Sequence, residues 1–292
     1  MLYQVVDILF PIFAIVLVGF ILGRWLKPDL AVTNRINMDV FCPALVFSSL
    51  VAMPLNTNQL PLLSAALVAV LLPGLLMIPL SKLFGLSFRT WAPPNMFRNS
   101  GNLAIPLFTY TFGESALAPA ILLFVVSTVL HASVGLAILS RGNPIKQLLK
   151  MPVFLASVLA MTLNLAHISV WQPLMDATSL LGQAAVPIML IALGRQMCNI
   201  QIKGIKVGLY GTLLSIFTGS VALFIIYWLI PLPTLQLQMI VLFTLLPPAV
   251  MNYMFAERFN IEPDKVASMV LISNLFTVLT LPLILTVALH LG

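Results

Sequence analysis

The stretch Arg98-Asn99-Ser100-Gly101-Asn102-Leu103-Ala104-Ile105-Pro106 decides how this chain is read. Two asparagines, a serine, a glycine and a helix-breaking proline stand inside an apolar segment of membrane-spanning length. An unpaired backbone group in hydrocarbon costs several kcal/mol, so such a break survives only buried in protein or lining a cavity. Polar residues at that depth mark a functional site.

The rest of the chain establishes the depth. Of 292 residues, 61% are hydrophobic and 8% charged, against about 25% charged in a soluble domain. That is too little charge to cover a soluble surface, and the exterior must face lipid. The net charge of +6 and pI of about 9.6 do not indicate nucleic acid, because the basic residues form no dense stripe. Cys42 and Cys198 make neither a CxxC pair nor a metal-ligand spacing. The first apolar stretch lacks the basic start and cleavage site of a signal peptide and reads as a retained span.

Apolar runs long enough to span as helices occur ten times, over 5–23, 36–53, 61–83, 90–112, 116–139, 152–170, 174–196, 206–230, 235–257 and 264–289. Breakers punctuate the connections: Lys27-Pro28-Asp29, Pro54-Leu55-Asn56, Gly142-Asn143-Pro144, Pro231-Leu232-Pro233 and Glu262-Pro263. Thirteen of the fourteen Lys and Arg residues fall in odd-numbered connections; Arg98 is the exception. The positive-inside rule then makes those connections cytoplasmic and puts both termini on the other side. Trp25, Trp91, Trp171 and Trp228 stand near span ends, as interfacial anchors do.

The chain also repeats. Pro11-x-Phe13 recurs as Pro152-x-Phe154, Pro43 as Pro187, Phe112 as Phe259, and Thr128-Val129-Leu130 as Thr277-Val278-Leu279, at offsets of 141, 144, 147 and 149. Five helices per repeat is an odd number, so the halves insert with opposite topology, the arrangement of secondary transporters. At an offset of 147, Asn99-Ser100-Gly101-Asn102 falls on Leu246-Pro247-Pro248-Ala249, with Asn252 just beyond. The fourth and ninth helices are thus expected to be broken at corresponding positions. Their half-helix N-termini suit an anion, and the carbonyls freed by proline suit a cation or water.

These residues resemble the auxin efflux carrier family. Asn99-Ser100-Gly101 with Pro106 is similar to its fourth-helix Asn-Thr-Gly…Pro motif, and Leu246-Pro247-Pro248-Ala249 to its ninth-helix Pro-Pro-Ala motif. Pro43 and Ser273…Thr277…Leu281-Pro282 also fit, and the likeness runs through all ten spans. It implies an all-α membrane protein of two inverted five-helix repeats, similar in fold to bile-acid sodium symporters. The first repeat would cover 1–140, a cytoplasmic connection 141–151, and the second repeat 152–292. Helices 1, 2, 6 and 7 would form a scaffold. Helices 3–5 and 8–10 would form a transport domain in which helices 4 and 9 cross. The family moves small organic anions, including auxin in plants and malate or malonate in bacteria, and plant members dimerise through the scaffold. Asn102 stands where the family commonly has an aromatic residue or glycine, so the plant substrate does not carry over.

The expected function is secondary transport of a small organic carboxylate by alternating access, with an uncoupled anion uniporter or channel-like facilitator as the alternative. The expected location is a bacterial inner membrane, and the expected assembly a homodimer. HExxH, GxSxG, paired intramembrane aspartates and a P-loop are missing from the sequence, which disfavours an enzyme or an ATPase. The substrate or ion site is expected at Asn99, Ser100, Gly101, Asn102, Pro106, Pro247, Pro248, Asn252, Ser273, Asn274 and Thr277. Ser273, Asn274 and Thr277 either line the site or bond between helices. Arg98 either supplies a fixed countercharge or snorkels to the headgroups. His131 either relays protons or is a hydrogen-bonded structural residue. Pro43 and Pro187 are expected to break scaffold helices. No cofactor or metal is expected beyond a coupling ion, Na+ or H+, with sodium, if used, at the crossing.

Overall fold

The computed structural model describes residues 2–26, 31–53, 59–139, 149–199 and 204–291. The breaker signals at 27–29, 54–56 and 142–144, most of the 141–151 connection, and Arg141, Lys146 and Lys203 lie outside the described residues.

All regular elements among the described residues are helices: α1 (Leu2–Trp25), α2 (31–52), α3 (Leu60–Leu83), α4 (Phe88–Met96), α5 (Ile105–Phe112) and α6 (Glu114–Leu139) in the first half. The second half carries α7 (Pro152–Leu165), α8 (Gln172–Asn199), α9 (Ile205–Leu229), α10 (Thr234–Leu245), α11 (Met251–Arg258) and α12 (Pro263–His290). Of these, α1, α3, α6, α8, α9 and α12 are long and apolar enough to cross a membrane. The expected fourth span is divided into α4 and α5, and the expected ninth into α10 and α11.

Three expectations need correction. The sixth span ends at Leu165 rather than near 170, because His167 takes a left-handed conformation (φ 53°). His167 N–H then bonds to Asn164 O and Ile168 N–H to Leu163 O, closing a Schellman cap. Trp91 is no interfacial anchor: it is buried and packs edge-on to Tyr210 at 5.6 Å, whereas Trp25, Trp171 and Trp228 are exposed. Neither Pro43 nor Pro187 breaks its helix. Pro43 follows a π-helical turn (Asn37–Phe41), where Cys42 N–H reaches Asn37 O, and Pro187 lies inside the continuous α8. One lost N–H bends a membrane helix without opening it when neighbouring turns absorb the misfit.

The helices pack in two sets. α1 lies along α8, and α2 packs on α7 and α8; α9 packs on α3, α10 and α12, and α3 on α4 and α6. Helices in lipid have no hydrophobic drive toward each other, so small residues that let backbones approach dominate such contacts. Cβ atoms on Gly19 or Gly194 would stand 2.2 Å from Ile191 O and 1.9 Å from Val16 O, locking α1 to α8. Gly208 and Gly219 do the same for α9, against Ser268 O at 2.6 Å and Thr244 O at 2.2 Å. The sets meet where α8 passes the π turn Ser100–Ala104, where α2 passes α6, and where α1 passes α5 and α12.

Candidate functional site at the crossing of two broken helices

The first break begins after α4, which already contains Pro93 and Pro94. At Phe97 the backbone turns extended (φ −101°, ψ 95°), and it re-enters a helix through the π turn preceding α5. The second break follows α10, where Leu246 is extended (φ −61°, ψ 154°) and two prolines offer no N–H. The two extended pieces cross as an isolated antiparallel bridge between Arg98 and Pro248. Asn99 N–H donates to Pro247 O at 2.8 Å and Ala249 N–H to Phe97 O at 3.0 Å. In an antiparallel pair only alternate residues face the partner strand with their N–H. Pro248 therefore occupies a position where no donor is used, while Pro247 faces Asn99 and offers its carbonyl alone.

The two bonds exchange under a local two-fold that sets 97, 98 and 99 against 247, 248 and 249. This is an offset of 150 (248 − 98), three residues more than the 147 expected at this break. It puts Asn99 in register with Ala249 and Asn102 in register with Asn252.

Side chains satisfy what the bridge leaves open. Asn252 Nδ2 donates to Phe97 O and Ala249 O, both at 2.9 Å, and Asn274 Nδ2 to Pro248 O at 3.1 Å. Arg98 is 2% exposed. Its Nη1 donates to Ser215 Oγ and, at 3.2 Å, to Leu246 O; its Nη2 donates to Ser215 O at 2.8 Å. The guanidinium thus staples the second break to α9 and does not snorkel. The carbonyls of Phe97, Leu246, Pro247 and Pro248 all have donors. A sodium ion on this set would share Leu246 O with a guanidinium at low dielectric, so these carbonyls do not fit a sodium site.

Beside the bridge lies a cavity of about 190 Å³. One wall is Arg98 through Asn102 with Ser127, Thr128 and His131 of α6 and the start of α11; the facing wall is Asn37, Met38, Met151, Ala192 and Gln196. Among the described residues neither Asp nor Glu lines it, and Arg98 is the permanent cation of the lining. Five lining residues hold buried polar atoms without a partner: Asn37 Oδ1, Arg98 Nε, Asn99 Nδ2, His131 Nε2 and Gln196 Oε1. Buried polar groups are normally paired, so such a concentration indicates a place for a ligand or water. The His131 ring is stacked on Phe97 (4.0 Å, 7°) and meets Phe255 edge-on at 4.9 Å.

Of the residues expected from sequence, Asn99, Ser100, Gly101, Asn102, Arg98 and His131 share this cavity. Pro106 is buried in α5, away from it. Pro247, Pro248 and Asn252 build the bridge without lining the cavity. Ser273 pairs with Thr212 at 2.8 Å, and Thr277 Oγ1 donates to Ser273 O at 2.9 Å. Asn274 and Thr277 line a second cavity of about 40 Å³ beside Leu103 and Leu193. Sequence reasoning missed Asn37, Gln196 and Ser215. Asn37 and Gln196 stand at the ends of the expected spans 36–53 and 174–196, where polar residues are ordinary, and a lone Ser215 in an apolar helix carries no signal beyond its polarity.

Residues 143–285 match the model of a family described as membrane transport protein. An uncharacterized transporter of Methanothermobacter thermautotrophicus is 27% identical over 289 residues, covering 93% of this chain and 94% of that protein. The family resemblance read from the sequence is borne out in these matches. With six membrane-length apolar helices among the described residues, the chain is an integral membrane protein similar to membrane transport proteins.

Proposed function

From its similarity to membrane transport proteins and its resemblance to the auxin efflux carrier family, we propose that the chain is a secondary carrier of a small organic anion. The carrying observation is a cavity at the crossing of two broken helices that no acidic side chain lines among the described residues, beside a buried arginine bonded to uncharged partners. A buried cation without an anion is costly, and a ligand carboxylate supplies the missing charge. The unpaired Nε of Arg98 and Nδ2 of Asn99 are the donors it would meet.

The cavity lies between the two helix sets, with Asn37, Met151 and Gln196 next to basic connections. We read α1, α2, α7 and α8 as the scaffold and the remaining helices as the transport domain. The glycine contacts described above fasten helices within each set, which suits movement of one set against the other. In this alternating-access scheme the cavity faces the cytoplasm, both termini lie outside, and two inverted five-helix repeats build the fold. An inner-membrane location and a homodimer through the scaffold complete the reading.

Uptake into proteoliposomes, screened across small carboxylates with sodium and pH gradients varied separately, tests it. Saturable uptake with counterflow is the expected result. Single-channel currents without counterflow would replace the carrier by a facilitator, and full uptake by both Asn99→Ala and Asn102→Ala would reject the site.

A further inference from the structure

We infer that the substrate carries a single negative charge on an apolar body, and that dicarboxylates are poor ligands; this rests on the organic-anion reading above. Two features of the cavity lining lead to it. Charge comes first: Arg98 is the permanent cation of the lining, its two Nη atoms already engaged, with Nε and Asn99 Nδ2 free to meet one carboxylate. A second carboxylate in the same cavity would lose its hydration and meet uncharged groups such as the amides of Asn37 and Gln196, with no second permanent cation among the described lining residues. An ion desolvated without a countercharge costs several kcal/mol. Those amides instead suit an uncharged hydroxyl or keto group.

The second feature is the wall. Met38, Met151, Met251, Met254, Phe124 and Phe255 line the cavity and come from both helix sets. Methionine is unbranched and polarizable, so it repacks around apolar bodies of differing shape. A compact, strongly hydrated diacid gains nothing from such a wall, whereas a branched, cyclic or aromatic monoacid is held by it. Because the methionines belong to both sides of the set boundary, they can follow the ligand as the sets move.

A matched set of probes tests this on the full-length protein in detergent: cyclohexanecarboxylate, cyclohexane-1,4-dicarboxylate and cyclohexanecarboxamide, with affinity measured by calorimetry. The expected result is that the monoacid binds about tenfold or more tighter than either the diacid or the neutral amide. The Met254→Gln variant, at an exposed position, should weaken the monoacid several-fold more than it weakens acetate. A diacid binding as well as the monoacid overturns the single-charge inference and leaves the organic-anion carrier standing. An unchanged monoacid affinity in Met254→Gln counts against the apolar wall. Failure of both acids to bind, or equal binding of acid and amide, removes the organic-anion reading and this inference with it.

Discussion

The two breaks share a backbone and differ in their side chains. Each is an extended piece of three residues, and each gives one N–H to the other. The first break puts Arg98, Asn99 and Asn102 at the cavity. The second offers Pro247, Pro248 and Ala249, and of these only Ala249 reaches the cavity lining. Asn102 lines the cavity, while Asn252, in register with it, spends its amide on Phe97 O and Ala249 O. A symmetric frame thus carries an asymmetric site: the proline break is a template that holds the polar break open. The comparison teaches that a crossing of helices needs only backbone and donor-free positions, whereas ligand contact is decided by which half turns its side chains to the boundary.

The largest effect expected from breaking this division of labour is at Arg98. Arg98→Ala removes the site's cation and takes the donor from Leu246 O and from Ser215 Oγ, at about 1–3 kcal/mol for a buried acceptor left unmet. Uptake should fall at least about a hundredfold, about 2.7 kcal/mol on the 1.36 kcal/mol-per-decade scale, in proteoliposomes matched for protein content. Arg98→Lys should recover little, because a point charge cannot reach both Ser215 and Leu246 as the planar fork does.

Next in size are the two asparagines, whose effects should separate. Asn99 Nδ2 has no partner, so Asn99→Ala should abolish saturable uptake while thermal unfolding in detergent stays nearly unchanged. Asn252→Ala removes two bonds of the frame and should lower stability by about 1–3 kcal/mol. Equal unfolding temperatures for the two variants would dissolve the distinction between site and template.

Asn274→Ala should be milder. It leaves Pro248 O without its donor, a loss of about 1 kcal/mol, read as a reduced midpoint in the same unfolding assay with ligand selectivity retained.

The smallest effect is expected from Pro248→Ala. The N–H it restores stands at a position where the bridge uses no donor, so the crossing persists and uptake should change less than about threefold, which a kinetic assay resolves. A collapse of transport in that variant would show that the proline itself, rather than the backbone it shapes, is needed.

How legible all this was depended on range in sequence. The six membrane-length helices among the described residues were readable because hydrocarbon demands long uninterrupted apolar runs, and the limits at 61–83 and 206–230 lie within a residue or so of α3 and α9. The positions of both breaks were readable too, since proline, glycine and asparagine act on their own turn of helix. The register between the breaks was not: matches scattered through the halves gave 147 where the bridge has 150, because loop insertions shift each match separately. Nor was the role of Asn252, expected at the ligand site and found to brace a carbonyl 155 residues away in sequence; for Asn274 the sequence left site lining and interhelical bonding open, and its amide bonds Pro248 O, 26 residues away.

The sequence by itself determined that this is a membrane protein, where its helices run and where two of them fail. Those properties follow from local chemistry: apolar length, a missing N–H, charge left at the ends of spans. Only the tertiary structure decided that the stretch from Arg98 to Asn102 faces a cavity and that Pro247-Pro248 does not. It also decided that Arg98 turns inward to Ser215, 117 positions along the chain, instead of outward to the headgroups. Such choices depend on the rotation of each helix against its neighbours, which packing between distant segments sets and no local pattern encodes.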